Sequence, residues 1–473
     1  MLFNSFNFWI IFPFIFLFFW IIPSRQQLTK KIFLITISYL LYINWDAAYS
    51  LILLGITLIT FYGAKIISNT PTIHKRHILI ALFTTLAFLP LLIFKYYNFI
   101  ITSVTQILTD IGFRFELPGL NWAIPIGISF FSFQAIGYLL DVYHNRIKAE
   151  HNIIDYTLFV SFFPQITSGP ISKAEDLIPQ LKNLKPFEYA KAASGLKFLL
   201  WGMFLKVVVA DRLGIFVNAV YENYQFYSGI DCFIASVFYS IQIYGDFAGY
   251  SLMALGIAKC LGIDLINNFE RPYLATSITS FWKRWHISLT QWLTRQIYIP
   301  LGGSRTSKIK TYRNILITFI VSGIWHGANW TFIIWGAFHG IIQIIEKALS
   351  IQKETHKNKL IAIIRIIITF LLVNFAWIIF RIPSIDETWD IITKIFTSFS
   401  GDILANTNNS DKLLMLTGIL ILLIKEITEE FFNGEKLWSR INFGGRFIIY
   451  TILFIMIISI GVLDSGQFIY VSF

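Results

Sequence analysis

Charge is scarce in this sequence. Only 14% of the 473 residues are Asp, Glu, Lys or Arg, against 56% apolar, where a soluble globular protein carries about 25% charged and about 45 to 50% apolar residues. That balance excludes a water-soluble fold. Cysteine is scarcer still: Cys232 and Cys260 have no CxxC partner, so a disulfide framework or a zinc site has no support and both read as packing residues. No GxSxG elbow, HExxH pair, P-loop or glycine-rich dinucleotide fingerprint occurs. Serine-hydrolase, zinc-protease and nucleotide-driven mechanisms therefore have no residues to stand on. The alternating ten-residue segments of a transmembrane barrel are missing as well.

What is present is apolar runs, many of them long enough to cross roughly 30 Å of hydrocarbon. They fall at 6–22, 32–45, 48–67, 78–94, 122–140, 153–168, 195–220, 231–257, 314–346, 360–380, 413–425 and 444–462. The sequence predicts an all-α, polytopic integral membrane protein of about ten to twelve membrane helices, forming one domain over residues 1–473. Segments 153–168 and 413–425 are too short to cross upright and are expected to be re-entrant or partly buried. The run from Phe6 to Ile22 lacks a basic stretch before it and a small-residue cleavage site after it, so it is expected to be a retained span. No internal repeat of the inverted-transporter kind is visible. The net charge of +11 sits mainly in short connections between spans, which reads as a positive-inside bias and not as a nucleic-acid footprint.

Between Arg271 and Arg313 stand eight basic residues and no acidic one, which is expected to place this stretch on the cytoplasmic side. At about 100° per residue, Trp282, Trp285, Leu289, Trp292 and Leu293 share one arc, while Lys283, Arg284 and Arg295 point elsewhere. The pattern reads as a basic amphipathic helix at the membrane interface, either docking on anionic lipid or serving a site.

An ionisable group inside a span costs about 2.5 to 3.5 kcal/mol on insertion, so each one retained is a candidate for function. Asp246 lies in Tyr244-Gly245-Asp246-Phe247-Ala248-Gly249-Tyr250, His286 beside the tryptophans, and His326 in Gly323-Ile324-Trp325-His326-Gly327-Ala328-Asn329-Trp330. A single histidine on an apolar helix is more often a hydrogen-bonded core residue than a reacting one. His326 departs from that expectation: Gly327 and Ala328 let a backbone or a substrate approach, and two tryptophans are placed to wall a pocket. Asp246 reads first as a buried acid paired with a basic residue of a neighbouring helix. His339 would lie about 20 Å from His326 along a continuous helix, so it is expected to be structural or interfacial.

Four segments together carry a resemblance: Asn268-Phe269-Glu270-Arg271-Pro272-Tyr273, Phe281-Trp282-Lys283-Arg284-Trp285-His286-Ile287-Ser288-Leu289-Thr290, Tyr298-Ile299-Pro300-Leu301-Gly302-Gly303 and Trp325-His326-Gly327. They resemble the membrane-bound O-acyltransferase family, and most closely its alginate O-acetyltransferase branch, which includes peptidoglycan-acetylating and D-alanine-exporting relatives. Supporting matches are Pro125-Ile126-Gly127-Ile128-Ser129-Phe130, Phe162-Phe163-Pro164-Gln165 with Ser168-Gly169-Pro170, and Phe468-Ile469-Tyr470. Two departures are visible: Thr294-Arg295-Gln296 stands where many members have Arg-Asp-Tyr, and Leu252 stands where an acid is common.

The resemblance implies helices around a central funnel open to the cytoplasm, with residues 264–346 as the catalytic core segment. It makes His326 the principal catalytic histidine and His286 the second, with Trp325, Asn329, Trp330, Trp285 and Asp246 lining or supporting the pocket. Lys283 and Arg284 are expected to attract an anionic donor. No metal and no bound cofactor is expected. The implied activity is O-acetylation of an exported cell-surface polysaccharide from acetyl-CoA, in a bacterial inner membrane and with a periplasmic or extracellular acetyltransferase as partner. D-alanyl transfer to teichoic acid from a carrier protein is the enzymatic alternative. A proton-coupled secondary transporter is the non-enzymatic one.

Overall fold

A computed structural model of the chain describes residues 3–113, 118–351, 358–398, 403–404, 407–432, 434–463 and 469. Phe468 and Tyr470 of the closing motif lie outside the described residues. Helices and no strands form among the described residues, because in lipid each backbone amide must find its carbonyl within its own segment. The chain divides into two compact units, Met1–Leu196 with Ala254–Ile266, and Lys197–Met253 with Asn267–Phe473.

In the first unit, α1 (Phe6–Ile21), α2 (Gln27–Ile43), α3 (Ala47–Asn69), α4 (Ile73–Leu91), α5 (Tyr97–Asp110) and α6 (Ile128–Tyr143) follow one another. Short helices α7 (Ile153–Ser161), α8 (Phe163–Ile166) and α9 (Ala174–Lys182) come next, and α10 (Tyr189–Met203) begins in this unit and ends in the second. Starts are capped by polar side chains: Asp46 accepts from the Ala48 amide at 2.7 Å and Asn152 from the Ile154 amide at 2.9 Å. The expected single segment 153–168 is two short helices broken at Phe162. Its Phe-Phe-Pro-Gln motif packs on the Pro-Ile-Gly motif, for Gly127 has φ +75° and a Cβ there would meet the Ile166 carbonyl oxygen at 1.9 Å. A buried Lys31–Asp155 pair at 2.7 Å ties α2 to α7.

The second unit continues with α11 (Asp211–Glu222), α12 (Gly229–Cys260, its last turns belonging to the first unit), α13 (Ile278–Arg284), α14 (Ile287–Leu293), α15 (Lys308–His326) and α16 (Trp330–Ala348). Then come α17 (Lys359–Arg381), α18 (Ile385–Thr397), α19 (Asn409–Phe431), α20 (Gly434–Arg440) and α21 (Phe443–Ile460). Between α10 and α11 the ladder widens into a π-turn, Phe204–Ala210. Glycine allows α10 and α12 to touch there, since a Cβ on Gly202 would lie 2.6 Å from the Gly249 carbonyl oxygen. Both cysteines are free and buried.

Among the described residues, five stretches are long and apolar enough to cross a membrane: Ala47–Asn69, Ile73–Asp110, Tyr189–Glu222, Lys359–Arg381 and Phe443–Ile460. Two further expected segments change. Residues 413–425 belong to the longer α19, 23 residues in all. The run 314–346 is not one helix but two, α15 and α16, broken at residues 327–329.

Candidate active site

The basic stretch folds differently from its helical wheel. α13 stops at Arg284, Trp285 is extended, and His286 turns left-handed at φ +44° before α14 begins. A non-glycine residue holds that conformation only where its surroundings over-determine it. Here the preceding motif does so: the Asn268 carbonyl accepts from the Ile287 amide at 3.0 Å and its side chain accepts from the Ser288 amide at 3.1 Å. The Arg284 carbonyl accepts from the Glu270 amide at 2.9 Å, and Glu430 of α19 receives both Arg271, at 2.7 Å, and Arg284, at 2.9 Å. An interfacial amphipathic helix is therefore replaced by two short buried helices. Trp282, Trp285, Leu289 and Leu293 lie in the core of the unit and not against a membrane surface.

Glu346 fixes the other end of α13. Its carboxylate accepts from the Ile278 amide at 2.6 Å, the Thr279 amide at 3.0 Å and the Thr279 hydroxyl at 2.8 Å. This is an N-terminal cap supplied by a distant helix. Sequence reading missed Glu346, although an acid at the end of an apolar run carries the same signal that singled out Asp246.

His326 is the last residue of α15 and is 2% exposed. The chain then turns through Gly327 and Ala328, and Asn329 caps α16 by accepting from the Thr331 amide at 3.0 Å while donating to the Pro383 carbonyl at 2.8 Å. α15 and α16 fold back on one another over glycine: a Cβ on Gly323 would stand 2.2 Å from the Phe332 carbonyl oxygen, and one on Gly336 would stand 2.3 Å from that of Phe319. The return brings His339 towards His326, which a single helix would have kept apart.

An aromatic cluster joins the histidines. Trp325 contacts His286 at 5.7 Å and His326 at 4.8 Å between ring centroids. Trp335 contacts His326 at 5.0 Å and His339 at 4.9 Å, and the Trp282 indole donates to Nδ1 of His339 at 3.3 Å. Trp285 packs on Trp377 at 5.0 Å in the same cluster. Trp330, by contrast, is 52% exposed at the start of α16. Asp246 forms an ion pair with Lys206 at 2.6 Å and accepts from the Ile469 amide at 2.8 Å, which is the helix-to-helix pairing expected of it. Burial pushes the His286 imidazole down to about 3.

Beside the cluster lies a cavity of about 270 Å³ whose walls include Trp282, Ser322 and Thr290, with Lys283 and Lys347 also on its lining. Ser322 stands one helical turn before His326. Of the two cations expected to attract a donor, Lys283 lines this space, whereas Arg284 is committed to Glu430.

Long apolar helices and three histidines buried in one aromatic cluster make this a membrane-embedded protein with a candidate site in its interior. The chain belongs to the membrane-bound O-acyltransferase family, whose model matches residues 143–385. It is an O-acyltransferase and a multi-pass integral membrane protein. The chain is 35% identical over 399 residues to the "Probable alginate O-acetylase AlgI" of Pseudomonas aeruginosa, covering 83% of this chain and 74% of that one. It is 34% identical over 397 residues to the peptidoglycan O-acetyltransferase of Helicobacter pylori, covering 78% and 74%. A teichoic acid D-alanyltransferase of Bacillus subtilis is 26% identical over 286 residues, covering 56% and 70%.

Proposed function

We propose that this enzyme O-acetylates an exported cell-surface polysaccharide of the alginate or peptidoglycan kind, drawing the acetyl group from cytoplasmic acetyl-CoA in a bacterial inner membrane. The observation that carries the reading is the burial of His326 within one helical turn of a cavity lined by two lysines. Cationic side chains favour an anionic donor, and an apolar, water-poor site protects a thioester from hydrolysis.

In this reading His326 is the general base. The acceptor hydroxyl attacks the thioester carbonyl carbon while His326 takes its proton; the C–S bond then breaks and the leaving thiolate receives that proton from the imidazolium. Atoms balance without an enzyme nucleophile. His286, which burial holds towards its neutral form, serves as an orienting group beside Trp325. Asp246, Asn329 and Trp285 act at one remove, by holding the helices and the aromatic wall in place.

His326→Ala is expected to lower acyl transfer by about 10² to 10⁴ while the protein still inserts and purifies normally, since a base is lost and little packing. Polymer acetylation in cells expressing the variant measures this, and near wild-type acetyl content would sink the assignment.

A further inference from the structure

The indole N–H of Trp282 can only donate, so the nitrogen of His339 that receives it at 3.3 Å carries a lone pair. The imidazole proton then sits on Nε2. Tautomer and ring orientation are thereby fixed by one neighbour, the usual means by which a protein sets which ring nitrogen faces its task. His339 is fully buried, and its Nε2 has no hydrogen-bond partner among the described residues. The adjoining Trp335 indole N–H is likewise buried without an acceptor. A buried donor left without an acceptor forfeits the hydrogen bond it made with water and is costly to keep. Two such donors on neighbouring rings form a place short of acceptors.

Position agrees with that chemistry. His339 and His326 pack on the same Trp335 ring, at 4.9 and 5.0 Å. Trp282, which holds His339, also lines the cavity that reaches Ser322, one turn from His326. A thioester seated in that cavity lies against Trp282, the ring whose N–H is bonded to His339, and brings a carbonyl oxygen, an acceptor, to this side of the aromatic cluster.

We infer that His339 is a second catalytic residue of the acyl-transfer site, its Nε2–H donating a hydrogen bond to the acyl carbonyl oxygen of the donor thioester. The inference rests on the acetyl-transfer reading above. As the acceptor oxygen adds to the carbonyl carbon, that oxygen becomes an oxyanion and the hydrogen bond strengthens; as the C–S bond breaks, the carbonyl re-forms and the bond relaxes. No proton leaves His339. Its contribution is electrostatic and greatest in the transition state. Trp282 is a positioning residue, acting only through the imidazole.

The test measures thiol release from acetyl-CoA by the full chain in membranes that contain its acceptor, for wild type, His339→Leu, His339→Gln and His326→Ala. His339→Leu is expected to lower kcat by about 10² to 10³ with little change in KM for acetyl-CoA, as for a lost oxyanion donor. His339→Gln, whose amide nitrogen reaches near the Nε2 position, is expected to recover at least tenfold of that loss. A leucine variant within threefold of wild-type kcat overturns the inference, as does a loss expressed in KM alone, or a glutamine variant no better than leucine at equal thermal stability. Should the leucine variant not accumulate, His339→Met replaces it under the same criteria. A silent His339 with an inactive His326→Ala rejects this inference and leaves the proposed function standing. Activity in His326→Ala rejects both.

Discussion

At His286 the chain holds a left-handed turn that most side chains avoid, and it does so between two short helices with the ring fully buried. The restraint comes from Asn268, which takes the first free amides of α14. Asn268→Ala removes one capping bond and is expected to lower stability by about 1 kcal/mol and to reduce acyl transfer more than stability explains, read as melting temperature and turnover on the same preparation. Equal activity per folded molecule would separate the cap from the site. The depressed pKa of His286 carries a second expectation. Above the unfolded value, about 6.5, both states are neutral; as pH falls towards 3 the unfolded chain gains a proton that the folded chain refuses, so stability drops through that window. His286→Gln should flatten this acid limb in a melting-temperature profile from pH 7 to 4, and an unchanged slope would contradict the assignment. As buried candidates, His286 and His326 were legible in the sequence because an ionisable group in an apolar run is costly enough to announce itself. His339 was not, because its distance from His326 was measured along a helix that does not continue.

The elements repeat that lesson on a longer scale. Apolar periodicity located the segments that became α1, α3, α17 and α21 to within a few residues, since those helices are held by their own ladders and by caps from Ser5, Asp46, Asn358 and Asn442. It failed where tertiary contacts cut a helix in two. Glu270, Asn268 and Glu430 clamp the break between α13 and α14 from outside the segment, and no window of periodicity sees a partner far off in sequence. The break between α15 and α16 had a local sign in Gly327 and Asn329, a spacer and a cap. Close packing of that hairpin depends on glycine, so Gly323→Ala, which puts a methyl 2.2 Å from a carbonyl oxygen, is expected to cost about 1 to 3 kcal/mol and to displace His326. Loss of melting temperature together with activity checks this; a stable, active alanine variant would show that the helices can slide apart.

At the scale of the whole molecule, the basic stretch is expected to place residue 308 on the cytoplasmic side. A cysteine placed at Lys308 should then be shielded from impermeant maleimide in intact cells and react in opened ones. Labelling from outside would reverse the topology. The internal connections 172–194 and 382–411 are shorter than the smallest usual domain of about 50 residues, most of 264–313 packs into the second unit, and a polymer needs an extended groove outside the bilayer. Reconstituted alone with acetyl-CoA on the cytoplasmic face, the chain is expected to release coenzyme A slowly or not at all until an exported acceptor protein is added. Efficient polymer acetylation by the chain alone would contradict this.

The labelling experiment draws on one further property of the molecule. Cys232 and Cys260 are 0% and 1% exposed, and neither thiol is bonded to the other. A water-soluble thiol reagent finds no native thiol at the surface of the folded protein, so the unaltered chain serves as its own blank. Any single position can be converted to a reporter without first stripping the background, and a rising signal from the unaltered chain under heat or detergent reads out unfolding directly.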